Sequence, residues 1–251
     1  MKLLILLLLT TTQYLFALIS IVPIGIGEEP GTTGSFEAGL ETKRGNTHKD
    51  NYKTAVRVNY DNNSTYVLWG EISGEYGKAN HVEDTNKIYS HMRFIHTLNS
   101  KLLNGEIFLQ SQEDKFKALA KRRLAGGGLR LELFETLKGG KGYFGFGGFY
   151  EYIKHTDPSA DPDEGNIRLN SYLSYAVKLA EDSTLAYTMY YQPRIDQFSD
   201  YVIANKFELQ LHIYLELFLK FSVYYDVDSA HPSSINEDYD FGQTTTFVIN
   251  F

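Results

Sequence analysis

Strict two-residue alternation constrains this chain more than any other feature. Its last stretch, Phe241-Gly-Gln-Thr-Thr-Thr-Phe-Val-Ile-Asn-Phe251, sets Phe247, Ile249 and Phe251 on one side and Thr244, Thr246 and Asn250 on the other. Successive side chains of a β-strand point to opposite faces, so a run of this kind specifies a two-sided strand and breaks the spacing of an amphipathic helix. The same period runs back to about residue 33, interrupted only by turn-forming residues.

Twelve alternating segments follow. They are Thr33–Arg44, Lys49–Tyr60, Thr65–Tyr76, Asn86–Leu98, Leu102–Gln112, Lys121–Phe134, Gly142–Ile153, Ile167–Val177, Ser183–Gln192, Tyr201–His212, Leu217–Val227 and Phe241–Phe251. In the second, Tyr52, Val56 and Tyr60 share one face while Lys53 and Arg57 take the other. In the tenth, Phe207, Leu209 and Leu211 oppose Lys206 and Glu208. One face is therefore apolar along the whole chain, and the other is polar and charged.

The connections differ in length by parity. Gly45–His48, Gly77–Thr85, Glu113–Ala120, Lys154–Asn166, Pro193–Asp200 and Asp228–Asp238 are mostly long. Asp61–Ser64, Asn99–Lys101, Glu135–Lys141, Leu179–Asp182 and Ile213–Glu216 are short. An even number of strands with one set of long and one set of short connections is the pattern of an antiparallel transmembrane β-barrel, with the short turns and both termini in the periplasm. A soluble β-sandwich also alternates, but it calls for neither the length asymmetry nor a tyrosine-rich surface. A terminal aromatic such as Phe251 resembles the assembly signal of bacterial outer-membrane barrels, which makes the barrel-assembly machinery an expected partner.

Composition agrees once the alternation is known. Hydrophobic residues make up 43% and mean hydropathy is -0.29, as expected if only every second strand residue meets lipid. The 19 tyrosines and 16 phenylalanines suit membrane–water interfaces. The absence of cysteine removes disulfides, thiol chemistry and lipid attachment. A net charge of -7 disfavours nucleic acid as a partner. At the N-terminus, Met1-Lys2 followed by the apolar run Leu3–Leu9 and Ala17 reads as an export signal over residues 1–17, although Leu15 stands where a small residue is usual. Residues 18–32 then form a short periplasmic lead, and 33–251 the outer-membrane barrel.

Several stretches together resemble the salt-induced outer-membrane proteins, a bacterial family of unknown function. They are Gly34–Thr47 ending in Gly-Asn-Thr, Asp114–Arg123 followed by Gly126–Gly128, Ile167–Tyr175, Tyr190–Pro193 and Asp228–Pro232. Ala230-His231 stands before Pro232 where the family leads one to expect prolines. The resemblance implies an outer-membrane barrel with a link to salt stress, and it supplies no catalytic residues.

The polar face defines the candidate lumen: Lys53, Arg57, Glu71, Glu75, Lys87, His91, Arg93, Glu106, Arg130, Glu132, Arg168, Lys206, Glu208 and Lys220. Two readings fit these mixed charges. They pair and simply fill the barrel, since burying an unpaired charge is costly, or they line a pore for small ions or solutes. Outer-membrane lipid and lipopolysaccharide are the expected surroundings.

Other clusters carry less. Lys121-Arg122-Arg123 could grip a lipopolysaccharide phosphate, but a solvated loop-to-strand junction is the favoured reading. Asp157–Glu164 gathers four carboxylates without an EF-hand spacing and reads as a solvated loop. His231-Pro-Ser233 has the spacing of a lipid hydrolase pair but reads as a turn, so no enzyme is expected. His48, His81, His91, His96, His155 and His212 form no metal-ligand spacing, and no cofactor is expected. The glycines between 139 and 148 lack a following Gly-Lys-Ser/Thr and read as points where a strand bends.

Overall fold

The computed structural model describes residues 25–251 apart from 44–48, 101, 118, 138, 160–161, 181–182 and 232–237. The expected signal segment, the first part of the lead, the connection Gly45–His48, part of the acidic loop and Pro232-Ser233 lie outside the described residues.

Twelve strands are present among the described residues: β1 (Gly31–Lys43), β2 (Lys49–Asp61), β3 (Tyr66–Ala79), β4 (Val82–Ser100), β5 (Leu103–Asp114), β6 (Leu119–Glu135), β7 (Lys141–His155), β8 (Glu164–Ala180), β9 (Ser183–Pro193), β10 (Tyr201–Tyr214), β11 (Leu217–Asp228) and β12 (Tyr239–Asn250). Each pairs antiparallel with its sequence neighbours, and β1 closes the ring against β12. A 3₁₀ turn, Lys115–Lys117, follows β5 on the way to β6. The all-β, twelve-stranded antiparallel barrel expected from the alternation is the architecture observed.

The wall inverts the usual distribution of a water-soluble protein. Phe36, Val56, Ile72, Ile107, Leu129, Leu173 and Phe247 are exposed on its outside. Glu75, Arg93, Glu106, Arg168 and Glu208 are buried inside. So large a continuous apolar exterior requires an apolar surrounding. Aromatic rings meet toward both rims. Tyr60–Tyr66 (6.0 Å) and Phe134–Tyr175 (5.9 Å) lie toward the end that carries the termini, and Tyr191–Tyr201 (5.9 Å) and Tyr225–Tyr239 (6.0 Å) toward the other. That is the placement of two interfacial girdles.

One connection departs from expectation. Gly77–Thr85 is not a long loop. β3 runs to Ala79, β4 starts at Val82, and only Asn80 and His81 turn between them. Both hold positive φ, 49° and 69°, the requirement of a tight two-residue hairpin turn that matches strand twist.

Two glycine positions shape the wall. A Cβ on Gly147 of β7 would lie 2.2 Å from the carbonyl oxygen of Gly127 on β6, so the two backbones approach where no side chain fits. At the closing seam the Phe251 amide donates to the Gly34 carbonyl at 2.9 Å, and the Gly34 amide donates to the Phe251 carbonyl at 2.8 Å. The Phe251 ring lies where a Gly34 side chain would be, 2.6 Å from a built Cβ.

Candidate functional site

The inward residues meet in a lumen with a chamber, a constriction and a plug. The chamber, about 150 Å³, is walled by Lys53 and Arg57 of β2, Glu71 and Glu75 of β3, Lys206 and Glu208 of β10, and Lys220 of β11, together with Glu37 and Lys87. Alternation points every one of them inward, and register sets Lys53 opposite Glu75 and Arg57 opposite Glu71. Most are neutralised by neighbours. Lys87 Nζ lies 2.7 Å from Glu75 Oε2, and Asn51 donates to Glu75 Oε1 at 2.7 Å. Lys206 Nζ lies 2.9 Å from Glu208 Oε1, and Lys220 joins Glu37 to Glu208. Such pairing offsets the cost of removing charges from water. Lys53, Arg57 and Glu71 have no ion-pair partner among the described residues, although each borders the chamber.

Next to the chamber, on the side of the termini, the lumen narrows. Val67, Trp69, Arg93, Ile95 and Tyr190 each keep at most 1% of their surface open to solvent. Arg93 Nη1 contacts Glu106 Oε2 at 3.2 Å, and the Tyr172 hydroxyl donates to the same oxygen at 2.8 Å from β8, three strands along the ring. The Arg93 guanidinium also sits over the Phe108 and Tyr172 rings, at 5.2 and 5.7 Å. His91 stacks on Trp69 at 4.7 Å and bonds through Nδ1 to Gln110 at 3.3 Å. Arg130 lies over the Tyr143 ring at 3.7 Å. A charge can occupy so dry a layer only with paired and aromatic neighbours of this kind.

Toward the loop-bearing rim, Glu151 is fully buried between two guanidinium groups. Arg122 Nε reaches its Oε1 and Arg168 Nε its Oε2, each at 2.6 Å. Arg168 also donates from Nη2 to Asp200 at 2.8 Å and from Nη1 to the Gln192 carbonyl at 3.2 Å, so the β9–β10 connection is tied down over the lumen. These groups border a second cavity of about 200 Å³ with His155, Glu164 and Asp228. On the exposed rim beside it, Arg194 grips Asp196 through two bonds of 2.8 Å, which holds the Asp196 carboxyl down at about 2.

At the end of the barrel that carries the termini, the segment before β1 reaches across the mouth. Ile26 packs against the cluster of Val67, Trp69, Tyr172, Tyr190 and Ala204. Asp61 accepts the amides of Gly27 (2.7 Å) and Glu29 (3.4 Å). Glu28 then reaches Lys141 at 2.8 Å, on β7, which stands opposite β1 in the ring.

All the charged residues singled out from the alternation lie on the inward face, including Glu132, which follows Arg130 by two positions on β6. They do not form one group. Lys53, Arg57, Glu71, Glu75, Lys206, Glu208 and Lys220 share the chamber; His91, Arg93, Glu106 and Arg130 belong to the constriction; Arg168 belongs to the rim cluster. The run Lys121-Arg122-Arg123 does not act as one basic grip. Alternation turns Arg122 inward onto Glu151, while Arg123 is exposed and Lys121 meets Glu113 at 3.4 Å. Glu37, Glu151 and Asp200 were missed. Strict alternation along β1 and β7 points to the first two; nothing local marks Asp200, which works through its contact with Arg168.

The fold is that of outer-membrane barrels. An outer-membrane channel from Pseudomonas putida F1 is similar over 92% of this chain and 97% of its own, with 10% identity and a TM-score of 0.50. The NanC porin (13% identity, 87% and 97% coverage, TM-score 0.46) and the translocator domain of the autotransporter NalP from Neisseria meningitidis (8%, 86% and 86%, 0.48) are also similar. At these identities the likeness concerns architecture alone. No curated protein matches the sequence. A family model for proteins of unknown function, DUF481, matches residues 36–251, from the first outward phenylalanine of β1 to the C-terminal residue, and the chain belongs to that family.

Proposed function

We propose that this barrel is a narrow pore of the bacterial outer membrane for small ions or solutes, held shut in this conformation by its own N-terminal segment. The chain is exported on its N-terminal signal, the termini face the periplasm, and the longer connections face outward. The observation that carries the reading is the chamber wall. A barrel filled only for stability pairs its charges, yet Lys53, Arg57 and Glu71 border the chamber without an ion-pair partner among the described residues, while Lys87 is paired with Glu75 and Lys220 with Glu37 and Glu208. Opposite charges facing a small aqueous space suit the transient binding that conduction needs. The plug is held largely by exposed or backbone contacts, and its Glu28–Lys141 ion pair weakens with ionic strength. That gives the salt link implied by the family resemblance a physical route.

Planar-bilayer recording tests the proposal. The intact barrel should show small, infrequent steps, and a variant lacking residues 25–30 should show more frequent ones. Lys53→Gln should move ion preference toward cations and Glu71→Gln toward anions. Silence from both the intact and the shortened barrel, across several salts, overturns the pore.

A second reading has its own observation. The layer of Trp69, Arg93, Glu106, Tyr172 and Tyr190 is dry and tied together through Glu106, as suits a structural barrel whose outer connections engage lipid or a partner. A silent barrel that nonetheless assembles in the membrane supports it. On either reading no catalytic chemistry is assigned, and Phe251 is the residue offered to the barrel-assembly machinery.

A further inference from the structure

The outside of the barrel carries a groove of about 830 Å³ across β2–β7. Its floor is made of small side chains, Ser90, Ser111 and Ala125, and its walls of large ones, among them Met92, Leu109 and Tyr150. Register explains the shape. Ser90 pairs with Ser111 and Ser111 with Arg123, while Met92 pairs with Leu109, Leu109 with Ala125 and Ala125 with Tyr150. A diagonal of small residues thus crosses an otherwise bulky face.

The end of the groove nearer the long connections is cationic. Arg123 lines it and has no carboxylate partner among the described residues. Lys121 stands directly opposite Lys154 in register, diagonal to Arg123. Like charges directly opposite on one sheet face repel; of the adjoining carboxylates, Glu113 is 3.4 Å from Lys121 and Asp163 accepts the Tyr152 hydroxyl at 3.1 Å. An unpaired guanidinium on a lipid-facing strand is costly unless it sits at the interface with an anion to bind. Three cations against two carboxylates, both already engaged, above an acyl-sized apolar groove are complementary to a phosphate group that bears acyl chains.

We infer that this groove is a binding site for lipopolysaccharide, with a lipid A phosphate on Arg123, Lys121 and Lys154 and an acyl chain along Ser90, Ser111 and Ala125. The choice of lipid rests on the outer-membrane orientation proposed above, which puts this end in the outer leaflet. It does not rest on the pore: a silent bilayer trace leaves it standing, and loss of lipid binding leaves the pore standing.

The test uses the full barrel refolded in detergent, with bound lipid counted by native mass spectrometry. Bisphosphorylated lipid A is compared with dephosphorylated lipid A and with phosphatidylglycerol. Bisphosphorylated lipid A should bind at least about tenfold more tightly than either. Arg123→Gln/Lys154→Gln should remove about tenfold of that affinity and leave heat-modifiable gel migration unchanged. Ala125→Phe, which fills the floor and keeps the cations, should weaken binding by a similar factor. Equal binding by the charge variant, or by dephosphorylated lipid A, overturns the site. Equal binding by phosphatidylglycerol overturns its assignment to lipopolysaccharide, and unchanged binding by Ala125→Phe overturns the groove.

Discussion

Glu28 reaches Lys141 at 2.8 Å from a segment that precedes β1, although β7 lies on the far side of the ring. The mouth is therefore spanned by chain and not only narrowed by side chains. Both partners are partly exposed, so the pair contributes only about 0.2–1 kcal/mol after screening by solvent. Glu28→Gln should raise the opening frequency severalfold at low salt and have little effect at high salt, where the native pair is already screened. Bilayer recordings at two ionic strengths check this, and an equal effect at both would remove the ion pair from the gate.

Glu151 is the most demanding charge in the structure, because two guanidinium groups depend on it. Replacing it by alanine leaves Arg122 and Arg168 buried without their shared anion. The expected loss is about 3–5 kcal/mol, read from denaturant unfolding in micelles. Arg122→Met added to Glu151→Ala should recover part of it, whereas a purely additive double variant would show that the cluster is not a unit.

The exposed pair Arg194–Asp196 gives a pH dependence with a definite sign. Asp196 is held at about 2 by its two bonds from Arg194, below the ~3.9 of an unfolded chain. A carboxyl lowered on folding contributes fully above the unfolded value and loses its contribution as pH falls through the folded one. Protease resistance of the β9–β10 connection should therefore stay level from neutral pH down to about 4 and decline between about 4 and 2. An Asp196→Asn variant should lack that decline.

Phe251 and Gly34 form one joint at the seam, with reciprocal backbone bonds and the ring over the glycine. Gly34→Val, which leaves the C-terminal residue intact, should lower the heat-modifiable folded fraction by displacing the ring. Deleting Phe251 should lower it too and also reduce insertion into the outer membrane in cells. Normal insertion of the deletion variant would limit Phe251 to a packing role.

The strands were legible because the membrane imposes a period that composition cannot hide: Tyr52, Val56 and Tyr60 must face out for Lys53 and Arg57 to face in. The signal fades where strands leave that constraint. Glu83, Asp84 and Thr85 belong to β4, yet they carry no apolar partner face, so they read as loop. Arg122 was obscured by the basic residues on either side, and Glu151 by the glycines and aromatics of β7. The plug was unreadable for a different reason. Ile26 and Glu28 act through contacts with Trp69 and Lys141, which are remote in sequence, and a short irregular segment has no period to announce it.

The seam between β1 and β12 has a consequence of its own. The ladder and the reciprocal bonds of Gly34 with Phe251 join the two only from Gly34 to Ala38, whereas β1 and β2 are aligned from Gly31↔Asp61 to Lys43↔Lys49. It is also the joint between strands farthest apart in the chain, so its formation carries the largest loop-closure cost. The longest closure thus rests on the shortest ladder. Unfolding should begin there, as a parting of the wall that runs down from the rim opposite the termini. Above Ala38 no pairing of β1 with β12 is present among the described residues, and a strand edge left unpaired is a template for a further strand.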